Sequence, residues 1–324
     1  MLEVPALHPH AVRYAERNAA HNPLQKILVV IDAATLNHPS IDKAARIALA
    51  FGSSIELFCC TPPSDLPETW AGGTTLAAYR GVLRERQVGV LEALAKPLRA
   101  RGLTVTTDCV CTERAAELIV EHAIRSHADL VIKDVASQSA SAPARATQVD
   151  WLLIRTMPAP LLLVRPGAWP SHPRICVAVD PCHPADRPTS LDDAMIATGR
   201  SLGCALVGVV ELMHTLQSPP HLRNESISQT QRESAYAHAR AAVEDLASRG
   251  GIPPQAIHFI AERIPEGLLK LADETAADVV VMGAGARPRV QYSAASTASL
   301  VLEQSNCDLL VVKAPGFVSP VLEE

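Results

Sequence analysis

The chain repeats itself once. Residues 26–32 read KILVVID and residues 174–180 read RICVAVD, 148 positions apart. ADLVI at 128–132 returns as ADVVV at 277–281, and Glu113-Arg114-x-x-Glu117 returns as Glu262-Arg263-x-x-Glu266, both 149 apart. PLLLVRP at 160–166 has its counterpart in DLLVVKAP at 308–315. Four matches in one order at nearly one spacing mean a duplicated domain. The joint falls in PGAWPSHP, residues 166–173, a short stiff linker rich in proline. A length of 324 residues leaves room for two cores. The reading is a domain over 24–167, a second over 168–324, and an N-terminal extension over 1–23.

Each half has the same order of elements. The first predicts strands near 26–31, 54–60, 103–109, 129–133 and 160–164, with helices near 40–51, 74–100, 113–127 and 146–156. Along the longest helix, Leu76, Tyr79, Leu83, Val90, Leu94 and Leu98 recur at helical spacing. The second predicts strands near 174–179, 204–210, 256–261, 278–282 and 308–312. These strands are continuous apolar runs, so both faces are covered, as in a parallel sheet between helices. Right-handed crossovers then make each half a doubly wound, Rossmann-like α/β domain. Aromatic residues are only 3 % of the chain while hydrophobic residues are 48 %, so Ala, Val, Leu and Ile must build the cores.

Composition excludes several functions. Residues 1–167 carry 17 basic and 16 acidic side chains, and 168–324 carry 12 and 18, so neither half is a basic module for nucleic acid. No stretch reaches the roughly 20 apolar residues of a membrane helix, and the first residues lack the apolar core of a signal peptide. Eight cysteines in a chain this long do not form a secreted disulfide scaffold, which points to a reducing cytoplasm.

Ligands of doubly wound sheets bind outside the carboxyl ends of the strands, so the residues just after strands one and four are the candidates. Asp32 and Asp180 come directly after strand one; either can serve a ligand or cap a turn. Strand four of the second half runs into Gly283-Ala284-Gly285-Ala286-Arg287-Pro288-Arg289 and on to Ser296-Thr297 at a helix start. A small-residue loop before a helix N-terminus can hold a phosphate, or can be an ordinary loop; it is not a Walker A loop, because GK[ST] is missing after it. The first half has Lys133-Asp134-Val135-Ala136-Ser137 there, without glycine; these two charges pair with each other or face solvent. Cys59-Cys60, Cys109-x-Cys111 and Cys176…Cys182-His183 lack the spacing of a closed zinc site, so structural roles are expected and no metal is predicted. His122 and His127 are five apart on one helix, too far for a shared face, and are read as solvent-facing. No catalytic triad or nucleophile elbow stands out.

These residues resemble the universal stress proteins. A strand ending in Asp, then ADxVVMG with a small-residue loop, a Ser/Thr helix start and DLLVVK form the pattern. The tandem layout, with TQVDWLLIR (147–155) and PAPLLLVRPGAWP (158–170), is similar to the E-type tandem members. The resemblance implies a five-stranded parallel sheet of order 3-2-1-4-5 in each domain. It also implies an intramolecular pseudo-dimer, with strands 160–164 and 308–312 meeting edge to edge; pairing them would remove two apolar edges. Many members bind ATP, and the matching positions of the second half are Asp180, Val209, Gly283, Ala286, Ser296 and Thr297, with Arg287 nearby. Ala286 and Ser296 stand where the family has glycine, which implies weakened or altered binding of an adenine nucleotide. In the first half the match reduces to Asp32, with Cys59 near the valine position and Lys133 at the first glycine, a degenerate site.

The function expected is a cytoplasmic stress-response binding or regulatory protein. Its second domain keeps a modified small-ligand pocket, and its first is a pairing partner. A slow nucleotide hydrolase or phosphotransferase is the enzymatic alternative, and a ligand-free protein-interaction scaffold the structural one. The proline-rich loops at 61–75, with Trp70, and at 214–224 come after strand two and are candidates to cap a pocket.

Overall fold

A computed structural model describes residues 24–33, 35, 37–61, 76–135, 145–182, 190–216, 228–284 and 297–323. The chain divides into two units. Unit 1 is Met1–Ala168 with Gly316–Glu324, and unit 2 is Trp169–Pro315.

Unit 1 contains β1 (Lys26–Ile31), α1 (Pro39–Phe51), β2 (Ser54–Thr61), α2 (Leu76–Ala100) and β3 (Val105–Cys111). It continues through α3 (Ala115–Arg125), β4 (Leu130–Asp134), α4 (Gln148–Thr156) and β5 (Leu161–Val164). Its strands lie in the order β3-β2-β1-β4-β5, all parallel. Unit 2 contains β6 (Arg174–Ala178), α5 (Ser190–Leu206), β7 (Val209–Thr215), α6 (Gln229–Arg249) and β8 (Ile257–Ile260). Then come α7 (Glu266–Glu274), β9 (Val279–Gly283), α8 (Thr297–Gln304) and β10 (Asp308–Val312). Its order, β10-β9-β6-β7-β8, is the same 3-2-1-4-5 winding read from the other side, again parallel.

The repeated motifs have structural reasons. Asp129, in the first ADLVI, accepts hydrogen bonds at Oδ2 from the backbone N–H of Gln25 and Lys26, both 2.9 Å. Asp278, its counterpart, accepts from Arg174 N at 2.8 Å. Each Asp ties the start of strand four to the start of strand one, where backbone donors would otherwise be unpaired. Ile27, Leu28, Val29, Ile55, Leu57 and Phe58 are fully buried. At about 1.5–3 kcal/mol each, such side chains supply the driving force of the sheet.

Three expectations shift. The long helix buries Gln87, Leu91, Ala95 and Leu98, while Leu83, Val90 and Leu94 are only half-buried. Its inner stripe therefore runs one position later than the leucine and valine pattern suggests. The second strand of unit 2 is 209–215, not 204–210, because α5 continues through Cys204 to Leu206. The chain turns at Val207, which takes a left-handed φ of 53°. There Gly208 lies so close to Pro173 O that a Cβ would not fit. His122, read as solvent-facing, is 4 % exposed; α3 lays it against β2 beneath the helix. Residues 1–23 lie outside the described residues, as do Trp70, His183 and the loop segments 62–75 and 217–227.

Candidate ligand site

The crevice at the carboxyl ends of strands one and four takes different forms in the two units. In unit 1, Asp32 is exposed; its carbonyl accepts from Thr35 N at 3.1 Å and Thr35 Oγ1 at 3.0 Å, closing the turn after β1. Lys133 and Asp134, at the end of β4, do not pair side chain to side chain. Lys133 Nζ reaches Asp150 Oδ1 at 2.7 Å and donates to the carbonyl of Asp134 at 3.0 Å. Asp150 is fully buried in the first turn of α4. Its Oδ2 accepts from Thr147 N at 2.7 Å and Thr147 Oγ1 at 2.8 Å, a capping box. Asp134 turns the other way. Its carboxylate accepts from Ser40 N at 2.8 Å and Ser40 Oγ at 2.6 Å, so β4 caps α1 in place of His38, which makes no side-chain cap bond.

Strand register corrects one equivalence. Asp134 pairs with Val164 on β5, and Gly283 pairs with Val312 on β10. Asp134, and not Lys133, therefore occupies the place of the first glycine; Lys133 corresponds to Met282. Position 283 faces the first helix in both units. A Cβ on Gly283 would lie 2.6 Å from Leu191 Cδ2 and 3.1 Å from Met195 Sδ of α5. Unit 2 thus uses its glycine to admit apolar side chains of α5, where unit 1 uses Asp134 to hold the N-terminus of α1.

In unit 2, Asp180 is half-buried, and its backbone N–H donates to Asp192 Oδ1 at 3.2 Å. Asp192, 2 % exposed, lies in the first turn of α5 and anchors the loop after β6. Burial, and then the charges of Asp180 and Asp192, push the Cys182 thiol up, away from a reactive thiolate. Thr297 opens α8 and is half-buried. Ala298 stands where unit 1 has Asp150, since the helix-end bonds Met157 N to Leu153 O and Ser305 N to Val301 O correspond, and the first turn of α8 contains no acidic residue. Ala286, Arg287 and Ser296 lie outside the described residues.

Val209 does not belong to this crevice. It is the first residue of β7, 46 % exposed and paired with Arg174, about 20 Å along the strand from the carboxyl end. The shifted strand brings His214 there instead. His214 is buried, donates from Nδ1 to Val179 O at 2.8 Å and meets Phe259 edge-on at a centroid distance of 6.3 Å. The signal is the apolar run VVELMHT, whose last two residues read as loop when the strand is placed at 204–210. A cavity of about 120 Å³ lined by Ala272, Ala276, Ser305 and Cys307 lies at the opposite, amino ends of β9 and β10. It is too small for a drug-sized ligand.

The buried cysteines are held away from the reactive thiolate form. Cys59 and Cys109 are buried register partners on β2 and β3. Burial pushes the thiols of Cys60 and Cys176 up to about 12. All eight are free.

The universal stress protein family model matches the chain twice, over residues 23–165 and 172–313. The chain belongs to the universal stress protein family. Both universal stress protein domains fall on the five-stranded frames described above. Universal stress protein E of Photorhabdus laumondii is 26 % identical over 92 % of this chain and 97 % of its own length. Universal stress protein E of Escherichia coli is 25 % identical over 92 % and 96 %. A crystal structure of a functionally unknown protein from Pseudomonas aeruginosa PAO1 superposes with a TM-score of 0.72 at 21 % identity, covering 95 % of this chain and 98 % of that one. That likeness shows the tandem Rossmann-like fold. Among the described residues, no helix is long and apolar enough to cross a membrane.

Proposed function

We propose that this tandem universal stress protein is a cytoplasmic stress-response binding protein. Unit 2 receives a small anionic ligand, an adenine nucleotide foremost, between Asp180, Gly283 and Thr297, with Ala286, Arg287 and Ser296 completing the loop. Unit 1 serves as its pairing partner. The observation that carries the reading is the first turn of the helix after strand four. In unit 1 the helix N-terminus, the natural seat of an anion, already holds the carboxylate of Asp150. Phosphate would meet that charge and lose the ion pair with Lys133. In unit 2 the corresponding residue is the uncharged Ala298. The pairing through strands 160–164 and 308–312 belongs to the same reading. Each is the terminal strand of its own unit's order, and joining them would cover two apolar edges.

Isothermal titration of ATP into the full chain tests this. One ATP is expected to bind per chain. Ala298→Asp, which copies Asp150 of unit 1 into unit 2, is expected to abolish binding. Ala286→Gly with Ser296→Gly is expected to tighten it. Absence of binding in the parent and in the double glycine variant would leave the ligand-free scaffold reading in its place.

A further inference from the structure

A second cluster of chemically capable side chains lies on the α3-covered face of unit 1, toward the amino end of the sheet. Alternation along β2 puts Glu56 and Phe58 on one face, and Asp108 on β3 is the register partner of Phe58. From above, α3 lays down His122, whose ring stacks on Phe58 with centroids 3.9 Å apart and planes 13° from parallel. His122 Nε2 lies 2.8 Å from Glu56 Oε1. One oxygen of each carboxylate and one ring nitrogen all fall within 4.8 Å of one another. Glu56 and His122 are 7 % and 4 % exposed.

We propose that Glu56, Asp108 and His122 form a binding site for a divalent cation of the zinc class. One imidazole and two carboxylates are a donor set that zinc accepts, at about 2.0–2.2 Å per ligand, with a fourth position left for water. The set contains a nitrogen, which disfavours magnesium and calcium. Asp108 is half-buried and sits on β3, the outermost strand in unit 1's own order, which provides an entry path. Its Oδ1 accepts from Cys109 N at 2.8 Å, fixing the carboxylate and leaving its other oxygen to the ion.

Without metal, two organic cations stand in. Lys26 Nζ lies 2.6 Å from Glu56 Oε2, and Arg125 Nη2 lies 3.0 Å from His122 Nδ1. A guanidinium can only donate, so Nδ1 accepts and Nε2 carries the proton given to Glu56. An ion on Nε2 moves that proton to Nδ1 and turns Arg125 away. Arg125 is exposed and the Lys26 side chain is 29 % exposed, so both can retreat to water. The metal must therefore compete with Lys26, and removing Lys26 should tighten binding. A purely structural ion-pair network has the opposite signature, since Lys26 then has nothing to compete with.

Unit 2 is a built-in control. At the equivalent register it carries Arg174 on Glu211, 2.9 Å apart, and His258 Nε2 3.3 Å from Glu211 Oε2. Leu271 takes the place of His122. Cys176 is nearest otherwise, its Sγ 3.9 Å from Glu211 Oε2, but that group does not converge as a three-ligand set among the described residues.

The test uses the full chain stripped with chelator, titrated with Zn²⁺ by calorimetry, with metal content read by mass spectrometry after desalting. One tight equivalent is expected, unaffected by excess Mg²⁺. Asp108→Asn and His122→Gln should each weaken that equivalent at least about tenfold, while His258→Ala leaves it unchanged. Lys26→Met should bind more tightly than the parent, and Zn²⁺ should restore the melting temperature that the substitution lowers. Asp108 is half-buried, so its variant retains the fold even if His122→Gln does not. No equivalent in either the parent or Lys26→Met overturns the site, as does binding that persists in Asp108→Asn. A Lys26→Met protein whose melting temperature ignores Zn²⁺ also overturns it.

Discussion

Unit 1 and unit 2 share a frame and spend charge in opposite ways. Unit 1 fills the crevice after strand four with its own ions: Lys133 on Asp150, and Asp134 on the N-terminus of α1. Unit 2 has Met282, Gly283 and Ala298 at those positions and closes against α5 with Leu191 and Met195. Identical backbone registers thus carry three charged residues after strand four in one unit and three uncharged ones in the other. A duplicated domain can change the charges at the ends of its strands without losing its fold, because those charges can be tied to neighbouring helices of the protein itself.

The largest expected effect comes from breaking the buried pair in unit 1. Asp150→Asn leaves the ammonium of Lys133 buried without its counter-ion and should destabilise the protein by about 3–5 kcal/mol, measured by urea unfolding. Lys133→Met with Asp150→Leu should recover most of that loss; a cost no greater for the single variant than for the double would break the comparison. In unit 2 the matching change is Gly283→Ala. Its methyl would press on Leu191 and Met195, for a cost of about 1–3 kcal/mol. A neutral result would mean that α5 yields and that the glycine is not a packing requirement.

Acid sharpens the comparison next. Burial works to raise the Glu56 pKa, but hydrogen bonds from His122 and Lys26 outweigh it and hold the carboxyl at about 2, against an ordinary 4.5. A folded pKa below the unfolded one means stability that is present above about 4.5 and lost as pH falls toward 2. Glu56→Gln should therefore flatten the pH dependence of the melting temperature in that window and leave it unchanged in shape near neutrality. An effect of the opposite sign in pH is expected at Lys313, just after β10. Burial lowers its pKa from 10.5 to about 7. Between those values the unfolded chain binds the extra proton, so stability rises with pH across the window, and the penalty is fully present below 7. Lys313→Met should raise the melting temperature most at or below pH 7 and hardly at all by pH 10.5. An equal gain at both ends would show that the substitution acts through packing.

The doubly wound frame is legible because its signals are local and repeated. Continuous apolar runs mark buried strands, and each AD dipeptide ahead of strand four reappears as a tie to the start of strand one. The second strand of unit 2 is easily misplaced because LGCALVGVVEL is apolar almost throughout, and only the left-handed turn at Val207 separates helix from strand. That shift puts Val209 into the crevice and His214 out of it. Lys133 is read at the glycine position because both come near the end of an apolar strand, although the 149-residue offset of ADLVI and ADVVV already sets Asp134 against Gly283; the pairing of Asp134 with Val164 and of Gly283 with Val312 agrees with that offset.

The sequence alone determined the duplication, the α/β class and the family, since each rests on residues close together in the chain or on their repetition. Only the tertiary structure decided where the charges go. Lys133 finds Asp150 on the next helix, Asp134 finds Ser40 94 residues away, and His122 finds Glu56 66 residues away. A charged side chain in a strand looks the same in sequence whether it faces a ligand, water or another ion. The difference is set by which helix is packed over it, and that is a property of the folded chain.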